Sequence, residues 1–577
     1  MKILALQLGH TSTAAIMDNG VILGVLSQEK LDNKKNSSQF PKDAILALLK
    51  KNNIKEISEI ERIIISSTFL YPWNEGDLKV KQNKFKSFLF SLENSSLGSF
   101  FPYVFSSIRK VKRKFKRNIG HQQLKNNLRE IGADKIPIQM LDHHTCHAYA
   151  SYFSTVRNVP ALIFTCDGEG DDISSSVSLV DKNGKLKLLA QSDYRNSIGW
   201  IYSATTRFLG MKILEHEYKV MGLAPYAKEY FLETYVNIFK DVISLDNKNP
   251  LRFKSKLNTV YFYNYLIKNA SGERFDNIAA SVQHLTENLI TNWIKNAIVL
   301  TGINEIYTGG GVFMNVKLNK KIQEMKEVKK VHFMPSCGDE SLPIGALYKF
   351  ASDNDIATKP LKNLYLGLSY SDKDIEKYIK TSGFYKKFRI KFFVNIDDKI
   401  AELLANKEIV ARFSGSCEWG ARSLGNRAIL AHPSFMESFY TVNDQIKVRD
   451  FWMPFAPTIL DSFALIYLEK YRPKTTSAPH MITSYVATKE GQSALRAAIH
   501  QGDKTLRPQV LTEEVNPSYY KLITKFSKIT GVGGILNTSF NLHGFPLVCS
   551  PEQAFFTLEN SELKNLAIGS FLVQKRK

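Results

Sequence analysis

Two arginines, Arg422 and Arg427, stand five positions apart among glycines in Cys417-Glu418-Trp419-Gly420-Ala421-Arg422-Ser423-Leu424-Gly425-Asn426-Arg427. A guanidinium is a rigid fork of donors that matches planar anions such as phosphate and carboxylate. Glycine lets backbone come close to a ligand. Three more clusters of this kind follow. In residues 443–449, Lys447 and Arg449 alternate as if on one face of a strand. Arg507 lies in Asp503-Lys504-Thr505-Leu506-Arg507-Pro508-Gln509, and Asn537-Thr538-Ser539-Phe540-Asn541 follows an apolar strand at 534–536. One such cluster is an ordinary surface feature. Four of them, each bounded by strand or glycine signals, predict a pocket for a polyphosphate or an acyl phosphate.

A different chemistry is written upstream. Asp142-His143-His144-Thr145-Cys146-His147-Ala148 sets His143 and His147 four residues apart, on one face of a helix. Asp167 and Asp339 each follow an apolar strand and can add carboxylate oxygens. Two imidazoles with carboxylates suit iron, zinc or manganese better than calcium. Tyr307-Thr308-Gly309-Gly310-Gly311-Val312-Phe313-Met314-Asn315 reads as strand, glycine turn and helix start. Such a turn serves either tight packing or a phosphate cradle, with Gly309, Gly310, Gly311 and Asn315 as the ligand-facing set. His10, after Gly9 in the first hairpin, is equally a turn residue or a phosphate or base group. Lys219, in Glu217-Tyr218-Lys219-Val220-Met221-Gly222, is a further anion contact.

These residues need strands and helices to carry them. Residues 3–8, 14–17 and 21–26 read as strands joined by turns at 9–13 and at Asp18-Asn19-Gly20. Strands at 161–166, 305–308, 409–413 and 534–536 alternate with helical patterns, the clearest at 275–300. The alternation predicts α/β architecture in both halves, with a domain at 1–352, a polar linker at 353–375 and a second domain at 376–577. Residues 75–135 are Lys-rich and read as a helical insertion, and no short sequence repeat is visible. Within it, residues 109–117 hold seven basic residues in nine. That run is read as a solvated helix face, with a weak membrane-surface or polyanion contact as the other reading.

At 577 residues, 44% hydrophobic and 23% charged, the chain has the composition of a soluble multidomain protein. No stretch is long enough for a transmembrane helix, and the start reads as a buried strand, not a signal peptide. Cys146, Cys166, Cys337, Cys417 and Cys549 show no paired spacing, which points to a reducing, cytoplasmic setting. The net charge of +22 suits anionic substrates, nucleic acid or an acidic membrane alike.

Taken in order along the chain, the motifs resemble those of the nodulation and antibiotic O-carbamoyltransferases, the NodU/CmcH type. The matching blocks are residues 9–10, 142–148, 217–226, 309–315, 338–339, 418–427, 443–449 with 454–457, 507–509 and 537–541. The resemblance implies an N-terminal actin-like (ASKHA) domain, as in threonylcarbamoyl-transferring enzymes, followed by a C-terminal YrdC-like α/β domain. It implies that carbamoyl phosphate and ATP, with Mg2+, form carbamoyl-adenylate in the C-terminal domain. There Arg422, Lys447, Arg449, Arg507 and Ser539 match phosphate-binding positions, with Arg427, Asn537, Thr538 and Asn541 beside them. The intermediate would pass internally to the N-terminal domain. His143, His147, Asp167 and Asp339 match the family's metal positions, iron being the usual ion, and His10 is the expected proton acceptor or phosphate contact. The acceptor would be a hydroxylated metabolite or sugar. Thr11, Gln28-Glu29-Lys30 and Ala227 depart from the family pattern, while the metal and anion positions are intact. Two rivals remain: a tRNA carbamoylating or threonylcarbamoylating enzyme, and a non-catalytic nucleotide- or polyanion-binding protein. No stable nucleic-acid partner is expected, and a homodimer is left open.

Overall fold

The computed structural model describes residues 1–70, 117–447, 449–473 and 478–576. Most of the insertion expected at 75–135, and the basic run except Arg117, lies outside the described residues; the described stretch 117–130 is helical. The chain forms two compact units, residues 1–23 with 36–360 and residues 24–35 with 361–577.

In the first unit, Lys2–Gln7 (β1) and Thr13–Asp18 (β2) pair antiparallel. Asn19 and Gly20, at φ of 44° and 79°, turn the chain into Val21–Ser27 (β3), whose residues from Gly24 on are counted with the second unit. Two consecutive positive φ values match the right-handed twist of a two-residue hairpin. Arg62–Ile65 (β4) and Ile138–Met140 (β5) then add in parallel, giving the order β3-β2-β1-β4-β5. Ile3, Leu4, Ala5 and Leu6 are all fully buried, so β1 is covered on both faces.

A second sheet has the same plan. Ala161–Gly170 (β6), Ile173–Val180 (β7) and Leu186–Asp193 (β8) form an antiparallel meander. After a separate ladder of Ile243–Asp246 (β9) and Asn249–Ser255 (β10), Glu305–Gly309 (β11) and Lys330–Phe333 (β12) extend the meander in parallel from β6. Read from the meander side the order is β8-β7-β6-β11-β12, the connectivity of the first sheet again. The duplication survives in strand order and direction although no sequence repeat marks it.

Each sheet is followed by a helix that covers the other one. His143–Phe153 (α1) follows β5 and packs on β6 and β11. Leu342–Asp353 (α3) follows β12 and packs on β1, β2 and β4, and the two helices pack on each other. Between β10 and β11 runs the long helix Phe275–Thr301 (α2), where the apolar period placed it. Where α1 and α3 meet, a Cβ on Gly345 would be driven into the Cys146 carbonyl.

The second unit is a mixed sheet with helices on both faces. Its strands are Phe388–Phe392 (β13), Val410–Phe413 (β14), Arg427–Ala431 (β15), Ala456–Leu460 (β16), Gln509–Leu511 (β19), Gly534–Ser539 (β20), Asn565–Ile568 (β21) and Phe571–Lys575 (β22). The order is β13-β22-β21-β14-β15-β20-β16-β19, with Tyr485–Val486 (β17) and Thr505–Leu506 (β18) as a small side ladder. Alternate side chains serve opposite cores. Ala411, Ile429 and Ile568 join Ile375 and Ile379 of Asp372–Thr381 (α4) and Phe555 of Pro551–Glu559 (α7). Val410, Leu430 and Ala567 join Leu404 of Ile396–Ala405 (α5) and Phe526 of Pro517–Thr530 (α6).

Two expectations are corrected. Residues 372–375, read as linker, begin α4, where Ser371 and Asp374 form a capping box. The alternation in residues 443–449 predicts a strand, but 443–447 fall in a wide-turned helix, Thr441–Lys447, that continues Met436–Tyr440. The buried side chains Phe439, Val442 and Ile446 recur at helical spacing, and that signal outweighs the short polar alternation. Among the described residues no helix is long and apolar enough to cross a membrane.

Gly345→Ala should destabilise the protein by about 1–3 kcal/mol, because a methyl group has no room between α1 and α3. The check is the denaturant midpoint against wild type; an unchanged midpoint would show that the helices can separate without loss.

Candidate functional site

The first site forms where β6, the start of α1 and the turn after β12 come together. Asp142 caps α1 by accepting from Thr145 N at 2.7 Å and Thr145 Oγ1 at 2.8 Å. The helix then presents His143 and His147 on one side, their ring centroids 4.8 Å apart. Asp167 comes from β6, and Asp339 begins a short helical turn after β12. One ligand atom from each of His143, His147, Asp167 and Asp339 lies within 4.8 Å of the others. His147 Nε2 is 3.2 Å from Asp167 Oδ2 and 3.6 Å from Asp339 Oδ1, and His143 Nε2 is 3.6 Å from the same Asp339 oxygen.

These contacts are electrostatic, not aligned hydrogen bonds: His143 Nε2 and His147 Nε2 are buried with no hydrogen-bond partner. Buried polar atoms left this way are rare in proteins. Two orphaned imidazole nitrogens facing two carboxylates fit a divalent transition ion. Ser341 Oγ lies 3.4 Å from His147 Nδ1, which leaves Nε2 to face the cluster. His144, between the two, plays a different part. Its Nδ1 meets Thr165 Oγ1 at 2.7 Å and its Nε2 meets the Ile173 carbonyl at 3.0 Å. Burial pushes its pKa down to about 3, so it is a neutral core residue.

Asp167 is itself gripped. Gly168 N donates to Oδ1 at 2.7 Å and Gly311 N to Oδ2 at 3.0 Å. Burial opposes its charge, yet His147 and the Gly311 amide pull its carboxyl below the ordinary range. The glycine run 309–311 therefore has a visible use beside β6. Gly310, at φ 94°, lies against the Cys166 backbone, and Gly311 spends its amide on Asp167. Asn315 caps Val316–Gln323 through Leu318 N at 3.0 Å and exchanges two hydrogen bonds with Gln283 of α2. His10 sits half-buried in the β1–β2 turn, between Gly9 at φ 101° and Thr11 at φ 53°. Lys219 lies on Glu217–Leu223, which packs against α2.

The second unit assembles its own cluster. Lys447 Nζ donates to Ser539 O at 2.7 Å, Ser539 Oγ at 3.2 Å and Asn541 O at 3.0 Å. Burial, with Arg449 and Lys35 adding, holds this amine well below the usual lysine value. Arg449 lies with its guanidinium 5.5 Å from the Phe455 ring. Asn537 binds Ser423 and Thr458, tying β20 to the arginine loop and to β16. Thr538 pairs with Ile429 across β15 and β20. Arg422 and Arg507 are partly buried, the first in the loop before β15 and the second between β18 and β19.

Arg427 departs from expectation. It is fully buried, and its guanidinium donates to the carbonyls of Ser414, Asn426, Leu368 and Gly415 at 2.8–3.3 Å. Its donors hold backbone, so it shapes the loop, while Arg422 carries the anion-facing expectation. Two further residues that sequence reasoning gave no role complete the loop. Glu418 Oε1 accepts from the amides of Leu424, Asn426 and Arg427 at 2.7–3.1 Å. Arg412 donates to Gly425 O at 2.9 Å and Asn426 Oδ1 at 3.1 Å. A charge inside the apolar strand Val410-Ala411-Arg412-Phe413 was the available signal, since buried charges are partnered.

A pH dependence follows. Burial opposes the charged form of His147, but Asp167 and Asp339 outweigh it and raise the pKa to about 9. Below that value the imidazole is protonated, and a metal ion must displace the proton. Zn2+ affinity should therefore rise by about tenfold per unit between pH 6 and 8, the slope of one displaced proton. Competition titrations across that range would check it, and a flat affinity would contradict it.

Several proteins are similar to this chain. The uncharacterized protein MJ1058 of Methanocaldococcus jannaschii is 31% identical over 479 residues, covering 79% of this chain and 77% of its own. Nodulation protein NolNO of Sinorhizobium fredii is 26% identical over 574 residues, covering 98% and 79%. Nodulation protein U of the same species is 23% identical over 568 residues, covering 94% of each. Full-length HypF in its phosphate- and nucleotide-bound form aligns with 62% of this chain and 56% of its own, at 12% identity and a TM-score of 0.33. Residues 2–348 match the family described as carbamoyltransferase N-terminus and residues 401–575 the one described as carbamoyltransferase C-terminus, so the chain belongs to the carbamoyltransferase family and is a carbamoyltransferase.

Proposed function

We propose that this carbamoyltransferase is ATP-dependent and moves a carbamoyl group from carbamoyl phosphate onto a hydroxyl of a small metabolite or sugar. The observation that carries the reading is the convergence of His143, His147, Asp167 and Asp339 within 4.8 Å in a chain of this family. The reading gives the first unit an actin-like fold, supported by its two five-stranded sheets of one connectivity. It gives the second unit a YrdC-like fold, supported by its mixed sheet with helices on both faces.

In the second unit, Arg422, Lys447, Arg449 and Arg507 would hold the phosphates of carbamoyl phosphate and Mg2+-ATP. Carbamoyl phosphate loses its phosphate to water, and an oxygen of the resulting carbamate displaces pyrophosphate from the ATP α-phosphate. Carbamate is a poor electrophile, and adenylation gives its carbonyl carbon a good leaving group. Lys447, seated on Ser539 and Asn541, would neutralise charge where phosphate oxygens gather.

In the first unit, His143, His147, Asp167 and Asp339 would hold a divalent ion, iron, zinc or manganese, which as a Lewis acid polarises a carbonyl. The acceptor oxygen bonds to the carbamoyl carbon, the bond to AMP breaks, and the hydroxyl proton passes to a base. His10 is proposed for that base because the β1–β2 turn leaves its side chain half-buried.

The test is pyrophosphate release from ATP with and without carbamoyl phosphate, without acceptor. Wild type should release it only with carbamoyl phosphate. Arg422→Ala should reduce release by about 100-fold or more, and His143→Ala should leave release intact while blocking transfer. Loss of release in His143→Ala would refute the division of labour.

A further inference from the structure

We infer that Asp171 is a positioning residue that fixes His143 in its place among the four clustered ligands. The inference rests on reading His143, His147, Asp167 and Asp339 as a metal site.

Asp171 touches none of the clustered ligand atoms, yet its carboxylate is saturated. Oδ1 accepts from Ser67 Oγ at 2.7 Å and from Phe69 N at 3.0 Å. Oδ2 accepts from Thr68 N at 2.8 Å and from His143 N at 2.9 Å. His143 is the first residue of α1, whose N–H has no partner inside the helix. A carboxylate there satisfies that amide and complements the positive end of the helix dipole. The same carboxylate binds the segment that follows β4, so the start of α1 is held to residues 67–69 at the end of that strand.

The backbone around Asp171 is shaped for this contact. Gly170 pairs with Ile173, and Asp171 and Asp172 form the two-residue tip of the β6–β7 hairpin at φ of 51° and 72°. Two non-glycine residues in the left-handed region are uncommon and carry strain. One residue earlier, a Cβ on Gly170 would be driven into the His143 ring. The hairpin tip thus does two things to one histidine: Gly170 clears the space for its ring, and Asp171 ties down its backbone. Since β6 also carries Asp167, a single hairpin supplies one ligand and sets the position of another.

The test is Co2+ titration of metal-free full-length protein, read by the visible ligand-field absorption, for wild type, Asp171→Asn, Asp171→Gly and His143→Ala. Asp171→Asn keeps the shape and loses part of the acceptor capacity. Asp171→Gly removes the carboxylate and also relieves the left-handed strain, so it separates the clamp from the stability of the turn. Wild type should bind Co2+ tightly, and both Asp171 variants, titrated well below their thermal midpoints, should bind about 10–100-fold more weakly and with an altered spectrum. His143→Ala should be weaker still. Wild-type affinity and spectrum in Asp171→Gly would overturn the inference while leaving the metal reading standing. No Co2+ binding by wild type would overturn both.

Discussion

The carboxylate of Asp167 stands where β6 stops following its regular register with β7, and its two oxygens are taken by the amides of Gly168 and Gly311. A carboxylate in so closed a place is costly unless hydrogen bonds satisfy it, and the neighbouring backbone has to come close enough to provide them. That requirement explains the glycines around it. A Cβ on Gly199 would fall 2.7 Å from the Asp167 carbonyl, and one on Gly311 would fall 3.1 Å from Oδ1. Ser197 Oγ adds bonds to the carbonyls of Asp167 and Gly168 at 3.2 and 2.7 Å. With the carboxylate fixed, His147 and Asp339 have a defined charge to be arranged around.

The second unit meets another problem, fixing the shape of the loop that precedes β15. Charge turned inward does this. Glu418 gathers three loop amides, and Arg412 and Arg427 take the loop's carbonyls. Gly425, at φ 108°, packs where any side chain would strike the Tyr519 ring. A loop whose backbone amides and carbonyls are tied in this way has little freedom left to lose. Of the two arginines of one motif, Arg427 is thus turned inward onto the loop's backbone.

Much of this was legible in the sequence. The His143/His147 spacing, the acid after β12, the Asn19-Gly20 hairpin and α2 all rest on local rules that tertiary structure did not override, whereas Asp167, expected after a strand, lies within β6. What was hidden is relational. Nothing in the spacing of Arg422 and Arg427 says which guanidinium turns inward, because burial is set by β14 and by residues 414–415 on the far side of the loop. The repeated sheet plan left no trace, since strand order depends on pairing, not on residue identity. The helix at 441–447 was masked by a two-residue alternation that its buried face contradicts. His144 looked like its neighbours, and only Thr165 and Ile173 give it another task.

Residues 24–35 belong to the second unit, although more than three hundred residues separate them from the rest of it. Lys30 is buried there beside Glu29, and its carbonyl accepts from Gln553 Nε2 at 2.9 Å. During synthesis this segment leaves the ribosome more than three hundred residues ahead of its partners. At about 5–20 residues per second the interval is on the order of tens of seconds. Throughout it the residues of this strip beyond β3 wait on the nascent chain for the partners that follow. The C-terminal half is therefore completed by a piece of sequence older than itself.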